Sequence, residues 1–149
     1  MNKKRKIIWD KSGGKCWYCG CELPEKGWHA DHLEPVYRTT ELVPVEKRKN
    51  PYMREFRHDG GFEKPERNSE ENLVPACAPC NLFKSTFPIE VFRKEISLQI
   101  ERARRSSVNF RTAERFGMIE IIDKPVVFWF EKQGLSMPNQ SIEKALGND

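Results

Sequence analysis

The clearest hydrophobic periodicity in the chain lies between residues 89 and 103. Apolar residues recur there at intervals of three and four positions, which is the pattern of an amphipathic helix. They are Ile89, Phe92, Ile96, Ile100 and Ala103. Pro88 suits the first turn of such a helix, because the N–H groups of that turn lack partners in any case. The pattern predicts a C-terminal amphipathic helix with one face against a core.

The chain beyond Gly117 is also apolar, but with a different spacing. Residues 119–122 are rich in isoleucine, a polar turn ending at Pro125 follows, and residues 126–130 are strongly apolar. Two apolar runs around a short turn predict a β-hairpin. An exposed apolar strand over residues 126–130 would be able to pair with a second chain, so the oligomeric state stays open.

Shorter elements are predicted in the N-terminal half. Residues 3–12 fit a short helix, residues 28–36 a strand that ends near Pro35, and residues 72–76 a second strand. A further helix is predicted to open at Asn81, directly after a cysteine-rich turn. These elements are short enough that only tertiary packing can hold them.

The stretch between the two predicted strands, residues 37–71, is rich in charge, proline and glycine. It is interpreted as a long loop insertion with at most a short helix around Tyr52–Phe56. Loops of this length are usually functional or mobile. The tail over residues 132–149 has a similar composition, and we expect it to be mobile, with at most a helical turn near residues 142–146.

The composition fits one small domain, which we place over residues 1–131. The chain has 149 residues, of which 38% are hydrophobic and 32% charged, and this length is typical of a single domain. A small core usually needs a staple, and a bound metal is one of the usual staples. The formal net charge is +4, so nucleic acid is a plausible partner without being required.

Basic residues are concentrated in two regions, one at the N-terminus and one within residues 102–115. The N-terminal set is Lys3, Lys4, Arg5, Lys6, Lys11 and Lys15, and the later set is Arg102, Arg104, Arg105, Arg111 and Arg115. Such clusters either grip a nucleic-acid backbone or form solvated faces that keep a protein in solution. Charge alone does not decide between these two interpretations.

Four of the five cysteines form two C-x-x-C pairs, Cys16 with Cys19 and Cys77 with Cys80. The sequence has no signal-peptide core and no apolar run of the roughly 18 residues that a membrane span needs. A cytoplasmic location is therefore the default expectation, and there such pairs are more often metal ligands than disulfides. We predict one structural Zn²⁺ held by these four thiolates. Cys21 is interpreted as a bystander.

An adjacent Asp31-His32 pair lies between the cysteine pairs, and Asn72 and Asn81 bracket the second pair. Carboxylate and amide oxygens are hard ligands that suit Mg²⁺ or Mn²⁺. A neutral histidine near pH 7 can take a proton from water. In a strand, however, His29 and Asp31 share one face and His32 points to the other. We therefore expect a local irregularity at His32.

Taken in order, these motifs resemble the HNH family of nucleases, part of the ββα-metal (His-Me finger) group. The resemblance covers roughly residues 12–86, more than half of the chain. It rests on Cys16-x-x-Cys19, on Asp31-His32 with Pro35 beyond, on Asn72-Leu73-Val74-Pro75, and on Cys77-x-x-Cys80-Asn81-x-x-Lys84. Two departures from the plainest family pattern are the long stretch between His32 and Asn72 and the asparagine at position 81, where many members have histidine.

The resemblance implies an α+β fold with a small ββα-metal core stapled by the four-cysteine zinc site. An N-terminal helix, the insertion, the C-terminal helix and the hairpin would surround it. It also implies that Asp31 and Asn81 hold one catalytic Mg²⁺ or Mn²⁺, that His32 is the general base, and that Asn72 braces the loop that positions the base. The implied products carry 5′-phosphate and 3′-hydroxyl ends.

The implied partner is DNA, in double-stranded form, with no membrane and no small-molecule cofactor. A small standalone chain of this kind is also similar to nucleases encoded by bacteriophages, some of which act with phage packaging proteins. A modification-dependent restriction enzyme or a homing-type nuclease would use the same chemistry. The competing hypothesis is a non-catalytic zinc module that binds nucleic acid or protein, which would need the cysteines but not Asp31, His32 and Asn81 together.

Several other side chains have two interpretations. His29 either contacts substrate or is a structural histidine, and Lys84 either touches the scissile phosphate or is a solvated lysine. His58 is interpreted as a turn residue. Trp17, Tyr18 and Trp28 are interpreted as packing around a small zinc core rather than as stacking partners for bases.

Overall fold

A pair of short antiparallel strands and the helix that follows them form the centre of the fold. The computed structural model describes residues 1–135, and the predicted helical turn near residues 142–146 lies outside that part. The strands are β1 (His29–His32), β2 (Arg38–Leu42), β3 (Phe56–Phe62) and β4 (Leu73–Ala76), and the helices are α1 (Lys3–Asp10), α2 (Ala78–Lys84), α3 (Ile89–Ser97), α4 (Gln99–Ser106), α5 (Val108–Arg115) and α6 (Trp129–Lys132). The predicted α+β class is confirmed.

β1 and β4 pair along their whole length. The pairing runs without a break from His29 opposite Ala76 to His32 opposite Leu73. The irregularity predicted at His32 is therefore absent, and that prediction was wrong. Since the strand is regular, Asp31 and His32 point to opposite faces of it. The two predicted strands are both present, the first one shorter than expected.

α2 follows β4 after a single residue and contacts β1. Pro79 lies in its first turn, where a missing N–H costs nothing. Ser85, with φ +48°, ends the helix. The helix thus begins at Ala78, three residues before the predicted start at Asn81, and it places Asn81 inside the helix over β1.

Two basic side chains attach α1 to the strand pair. The guanidinium of Arg5 lies 3.9 Å from the centre of the Trp28 ring and donates to the Trp28 carbonyl at 2.8 Å. The Lys11 Nζ donates to the carbonyl oxygens of Glu70 and Leu73, each at 2.7 Å. Part of the N-terminal basic cluster therefore stabilises the fold and is not available to a partner.

The insertion over residues 37–71 is not the loop that its composition predicts. Its two strands, β2 and β3, form an antiparallel hairpin with a register shift between Arg38 and Thr40. The short helix expected around Tyr52–Phe56 is absent, because β3 begins at Phe56. β2 is solvent-accessible on both faces, so it lacks the alternation of apolar and polar residues by which a strand is recognised in sequence.

The amphipathic segment is helical, but it is divided at Leu98 into α3 and α4. Phe92 is 1% exposed and belongs to the core cluster, and Ile89 and Ile96 pack against that cluster. Ile100 is 39% exposed, so the apolar face of the segment is buried along α3 but not along α4. The helix prediction is confirmed in type, and its interruption was not foreseen.

The predicted C-terminal β-hairpin is absent, since no strand lies between Gly117 and α6. Instead, the N–H groups of Trp129 and Phe130 donate to the carbonyl oxygens of Tyr18 and Trp17, at 2.8 and 3.1 Å. Phe130 is 3% exposed. The apolar run covers the first cysteine pair, which removes the exposed strand proposed above for pairing with a second chain.

Three aromatic residues near the cysteines are core residues, as predicted. Trp17, Tyr18 and Trp28 are 5%, 2% and 2% exposed. They pack in one cluster with side chains from α1, β4, α3 and the chain around α6. Among the described residues, no helix combines the length and the apolar character required to cross a bilayer.

Candidate functional site

Two buried partners hold the Asp31 side chain. Asp31 is 7% exposed, the Tyr18 hydroxyl donates to its Oδ2, and the Lys84 Nζ lies 3.1 Å from the same oxygen. Burial and the neighbouring carboxylate raise the pKa of Tyr18 well above its usual range, so Tyr18 acts as a neutral donor. In the described part of the chain, both side-chain contacts of Asp31 use Oδ2, and Oδ1 is the oxygen on which a cation could bind.

Lys84 is not the surface lysine that the sequence suggested. It is 0% exposed, and besides Asp31 its Nζ contacts the carbonyl oxygen of His32 at 2.8 Å. Burial lowers the pKa of Lys84, and the charge of Asp31 opposes that effect. The solvated-lysine interpretation is wrong, because the ammonium is buried, whereas contact with a phosphate stays a prediction. From its position one helical turn beyond Asn81, Lys84 links α2 to β1 through these contacts.

Replacing Lys84 with methionine is expected to destabilise the protein by about 3–5 kcal/mol, because it leaves the buried Asp31 without its charge partner. Lys94→Met is the matched control, since Lys94 is exposed on α3, and it should change stability by less than about 0.5 kcal/mol. Urea denaturation followed by circular dichroism measures both. If Lys84→Met kept wild-type stability but bound DNA more weakly, the interpretation that Lys84 contacts a phosphate would be favoured instead.

The His32 side chain lies on the other face of β1 and contacts Asn68. Its Nε2 is 2.9 Å from the Asn68 Oδ1. An amide oxygen only accepts hydrogen bonds, so with this partner Nε2 carries the hydrogen and Nδ1 keeps its lone pair. Asn68 directly follows a 3₁₀ turn over Pro65–Arg67. The insertion thus supplies the residue that orients the His32 ring.

His29 and Asn81 meet on the inner face of β1. The His29 Nδ1 and the Asn81 Nδ2 are 2.6 Å apart, although the two residues are 52 positions apart in sequence. His29 shares the face of Asp31, as the two-residue period predicts. Because the Asn81 amide nitrogen is turned to His29, its amide oxygen is left for another partner.

Asn72 ties the chain on either side of His32 together. It is 3% exposed, its Oδ1 accepts from the Glu34 N–H at 2.9 Å, and its Nδ2 donates to the carbonyl oxygens of Glu34 and Arg67, at 2.8 and 2.7 Å. An Arg67–Glu34 ion pair of 3.2 Å reinforces the same link. One buried amide therefore fixes both the loop after His32 and the turn that carries its partner Asn68.

All five cysteines lie in one region, and four of them are close enough to share a metal such as zinc. The Sγ atoms of Cys16, Cys19, Cys21 and Cys77 all lie within 4.8 Å of one another. This group contains Cys21, which the sequence suggested was a bystander, and not Cys80. Cys80 lies beside Cys16 and Cys77, so it borders the same group.

The chemistry of these thiols suits a zinc ion. Cys16 is fully buried, and its sulfur accepts a hydrogen bond from the Cys77 N–H at 3.4 Å. The neighbouring Cys80 thiol above all, and this N–H, lower the pKa of Cys16 to about 4, which favours the thiolate. Burial has the opposite effect on Cys21, whose pKa rises to about 12. Thiolates are the preferred ligands of structural zinc.

Gly20 shapes the turn that presents the first cysteine pair. Its φ is +79°, a conformation that favours glycine, and its N–H donates to the Cys16 carbonyl at 2.9 Å. A Cβ at this position would overlap the Cδ1 of Trp129. Only glycine therefore allows both the turn and the close packing of α6 on it.

Sequence reasoning missed three residues at these sites. Tyr18 was expected only to pack, but it also holds Asp31. Asn68 lies in a charged loop that offers no signal of its position. Cys21 did offer a signal, since a third cysteine two residues after Cys19 cannot be far from the same metal.

The arginines expected to grip DNA are largely engaged within the protein. Arg102 pairs with Glu95 and Arg104 with Glu114, and Arg111 donates to a backbone carbonyl. The loop over residues 43–55, which joins β2 to β3 and is named the hairpin loop, differs from these arginines. It presents exposed basic side chains together with an aromatic side chain that is 96% exposed. These side chains are Lys47, Lys49, Arg54 and Tyr52.

Comparisons with known proteins add little to this geometry. No protein-family model matches the sequence, and no curated protein matches it. Among solved structures, the chain is similar to the Type II-C Cas9 enzyme from Actinomyces naeslundii, with a TM-score of 0.38 and 19% sequence identity. The similarity covers 75% of this chain and 10% of that one. A likeness this weak identifies neither a family nor an activity, so function has to be argued from the residues.

Proposed function

We propose that the protein is a metal-dependent HNH endonuclease that hydrolyses phosphodiester bonds in DNA. The observation that carries this proposal is the 2.6 Å contact of His29 with Asn81. It supports an arrangement in which α2 is packed on β1 so that Asn81 lies beside the strand that carries Asp31 and His32. A zinc module without catalytic activity would have no need of that arrangement.

His32 is the general base in this proposal. The Asn68 contact leaves the lone pair on Nδ1, and that nitrogen takes the proton of the attacking water. His32 is partly buried and is the last residue of β1. Because its ring and the Asp31 carboxylate point to opposite faces of the strand, the proposal requires the phosphate to lie at that end of β1, within reach of both. Asn72 contributes indirectly, because its three hydrogen bonds fix the loop and the turn that orient the ring.

Asp31 and Asn81 are the proposed ligands of the catalytic cation, through Asp31 Oδ1 and the Asn81 amide oxygen. Both are hard oxygen donors that suit Mg²⁺ or Mn²⁺. Such a cation, when bound, neutralises charge that develops on the scissile phosphate. Lys84 and Tyr18 keep Asp31 in one orientation through Oδ2. His29, beside Asn81, is assigned to orienting the amide or contacting substrate.

DNA is the proposed substrate, and the hairpin loop is the proposed place of contact. Lys47, Lys49 and Arg54 are exposed there and would bind phosphates without reading sequence. Tyr52 and Met53 are 96% and 65% exposed, and apolar side chains of this kind pack into grooves or against bases. A two-stranded ribbon is also narrow enough to enter the major groove.

Cleavage of a supercoiled plasmid tests the proposal. Wild-type protein should convert it to nicked or linear DNA when Mg²⁺ or Mn²⁺ is added, and should leave it intact in buffer without added cation. The second condition avoids a strong chelator, which would also remove zinc. Absence of cutting with every divalent cation, by a folded and zinc-loaded protein, would reject the nuclease and favour a zinc module that only binds.

A further inference from the structure

The metal site has more thiols than a zinc ion has positions. A tetrahedral zinc–thiolate site takes four ligands at about 2.3 Å, which places its sulfurs roughly 3.8 Å apart. The Cys19 and Cys77 sulfurs are 3.8 Å apart, so these two already have the required spacing. Cys16 adds a third sulfur within 4.8 Å of both. These three cysteines form the constant part of the site.

The fourth position has two claimants. Cys21 completes the group of sulfurs within 4.8 Å. Cys80 lies beside Cys16 and Cys77, and it follows Cys77 at the C-x-x-C spacing that lets two thiolates reach one ion. Each claimant therefore lies next to Cys77, which belongs to the constant part of the site.

The backbone holds both claimants in place. The Cys16 N–H donates to the Cys21 carbonyl at 2.8 Å, which keeps Cys21 beside the first pair. Cys80 is fixed by α2, whose Pro79 and Asn81 flank it. The two claimants therefore approach the constant sulfurs from different segments, Cys21 from the first turn and Cys80 from α2.

We propose that Cys21 and Cys80 are interchangeable fourth ligands of one zinc site, so that the ion always has four thiolates and one free thiol remains. In one state α2 is attached to the metal through Cys77 and Cys80, and in the other through Cys77 alone. The exchange requires no oxidant, because one thiolate replaces another while a proton moves to the thiol that leaves. It is independent of the nuclease activity.

Cobalt substitution tests the exchange without any measurement of cleavage. Cys21→Ser and Cys80→Ser should each bind one Co²⁺ with the thiolate-to-cobalt absorption of four sulfurs. The double variant should lose about a quarter of that intensity and bind the ion at least about tenfold more weakly, since loss of a direct ligand costs no less than loss of an outer-shell partner. The proposal would be overturned if Cys80→Ser gave the same spectrum as the double variant. It would also be overturned if Cys21→Ser lost the four-sulfur spectrum.

Alkylation of the wild-type protein provides a measurement that does not depend on a variant folding. Zinc-loaded protein is treated briefly with iodoacetamide, and the modified cysteine is located by mass spectrometry. With exchange, the label is shared between Cys21 and Cys80, while Cys16, Cys19 and Cys77 stay protected. Label confined to one of the two would overturn the proposal, because it would mean that the ligand set is fixed.

Discussion

The His32→Ala variant is expected to cleave plasmid DNA at least about a hundredfold more slowly than wild type, which is the scale of a missing general base. Alanine cannot accept the proton of the attacking water, whereas the proposed cation ligands Asp31 and Asn81 remain. The rate at which supercoiled DNA is lost in Mg²⁺ or Mn²⁺ measures the effect. Equal rates for the variant and the wild type would remove His32 from the role of base.

The variant should remain folded, so that its effect can be assigned to chemistry. Within residues 1–135, the His32 side chain makes one hydrogen bond, to the exposed Asn68. The His32 carbonyl, which accepts from Lys84, is unchanged by the substitution. His58→Ala is the matched control, because His58 lies exposed on β3 with its ring bonded to the Thr39 carbonyl. We expect wild-type cleavage from it. An equal loss in both would point to a general effect of removing an imidazole.

The central strands and helix could be predicted because their sequence signals are local. The cysteine spacing marks two turns, and the strands predicted at residues 28–36 and 72–76 lie where β1 and β4 are found. A strand period then places His29 and Asp31 on one face. The contact of His29 with Asn81 follows once α2 packs on β1, although the sequence alone does not give the side-chain distance.

The remaining features depend on contacts between distant segments. Lys84 looks like any surface lysine until β1 places Asp31 against it. The segment before α6 has the composition of a strand, but its backbone hydrogen bonds go to Trp17 and Tyr18, which are more than a hundred residues earlier. The hairpin in the insertion is accessible on both faces of β2, so burial leaves no pattern in its sequence.

Loss of the zinc is expected to have the largest effect on the fold itself. A zinc ion bound at this site would join Cys16 and Cys19 to Cys77 across 57 intervening residues, and a link across so long a loop removes much of the freedom of the unfolded chain. Zinc binding in small domains is worth roughly 10–16 kcal/mol, as much as the whole stability of a typical domain. The site also adjoins the core cluster, which contains Cys16.

Cys77→Ser should therefore weaken zinc binding and cooperative folding far more than the loss of Cys21, because the Cys77 sulfur lies within 4.8 Å of the sulfurs of Cys16, Cys19 and Cys21 and 3.8 Å from that of Cys19. Elemental analysis gives the zinc content, and thermal melting followed by circular dichroism gives the fold. Cys21→Ser is the matched control, and it should keep one zinc and a wild-type melting temperature, since Cys80 can fill the fourth position. A Cys77→Ser protein that melts cooperatively without metal would show that the aromatic core alone holds β1, β4 and α2 together, and that the cysteines serve another purpose.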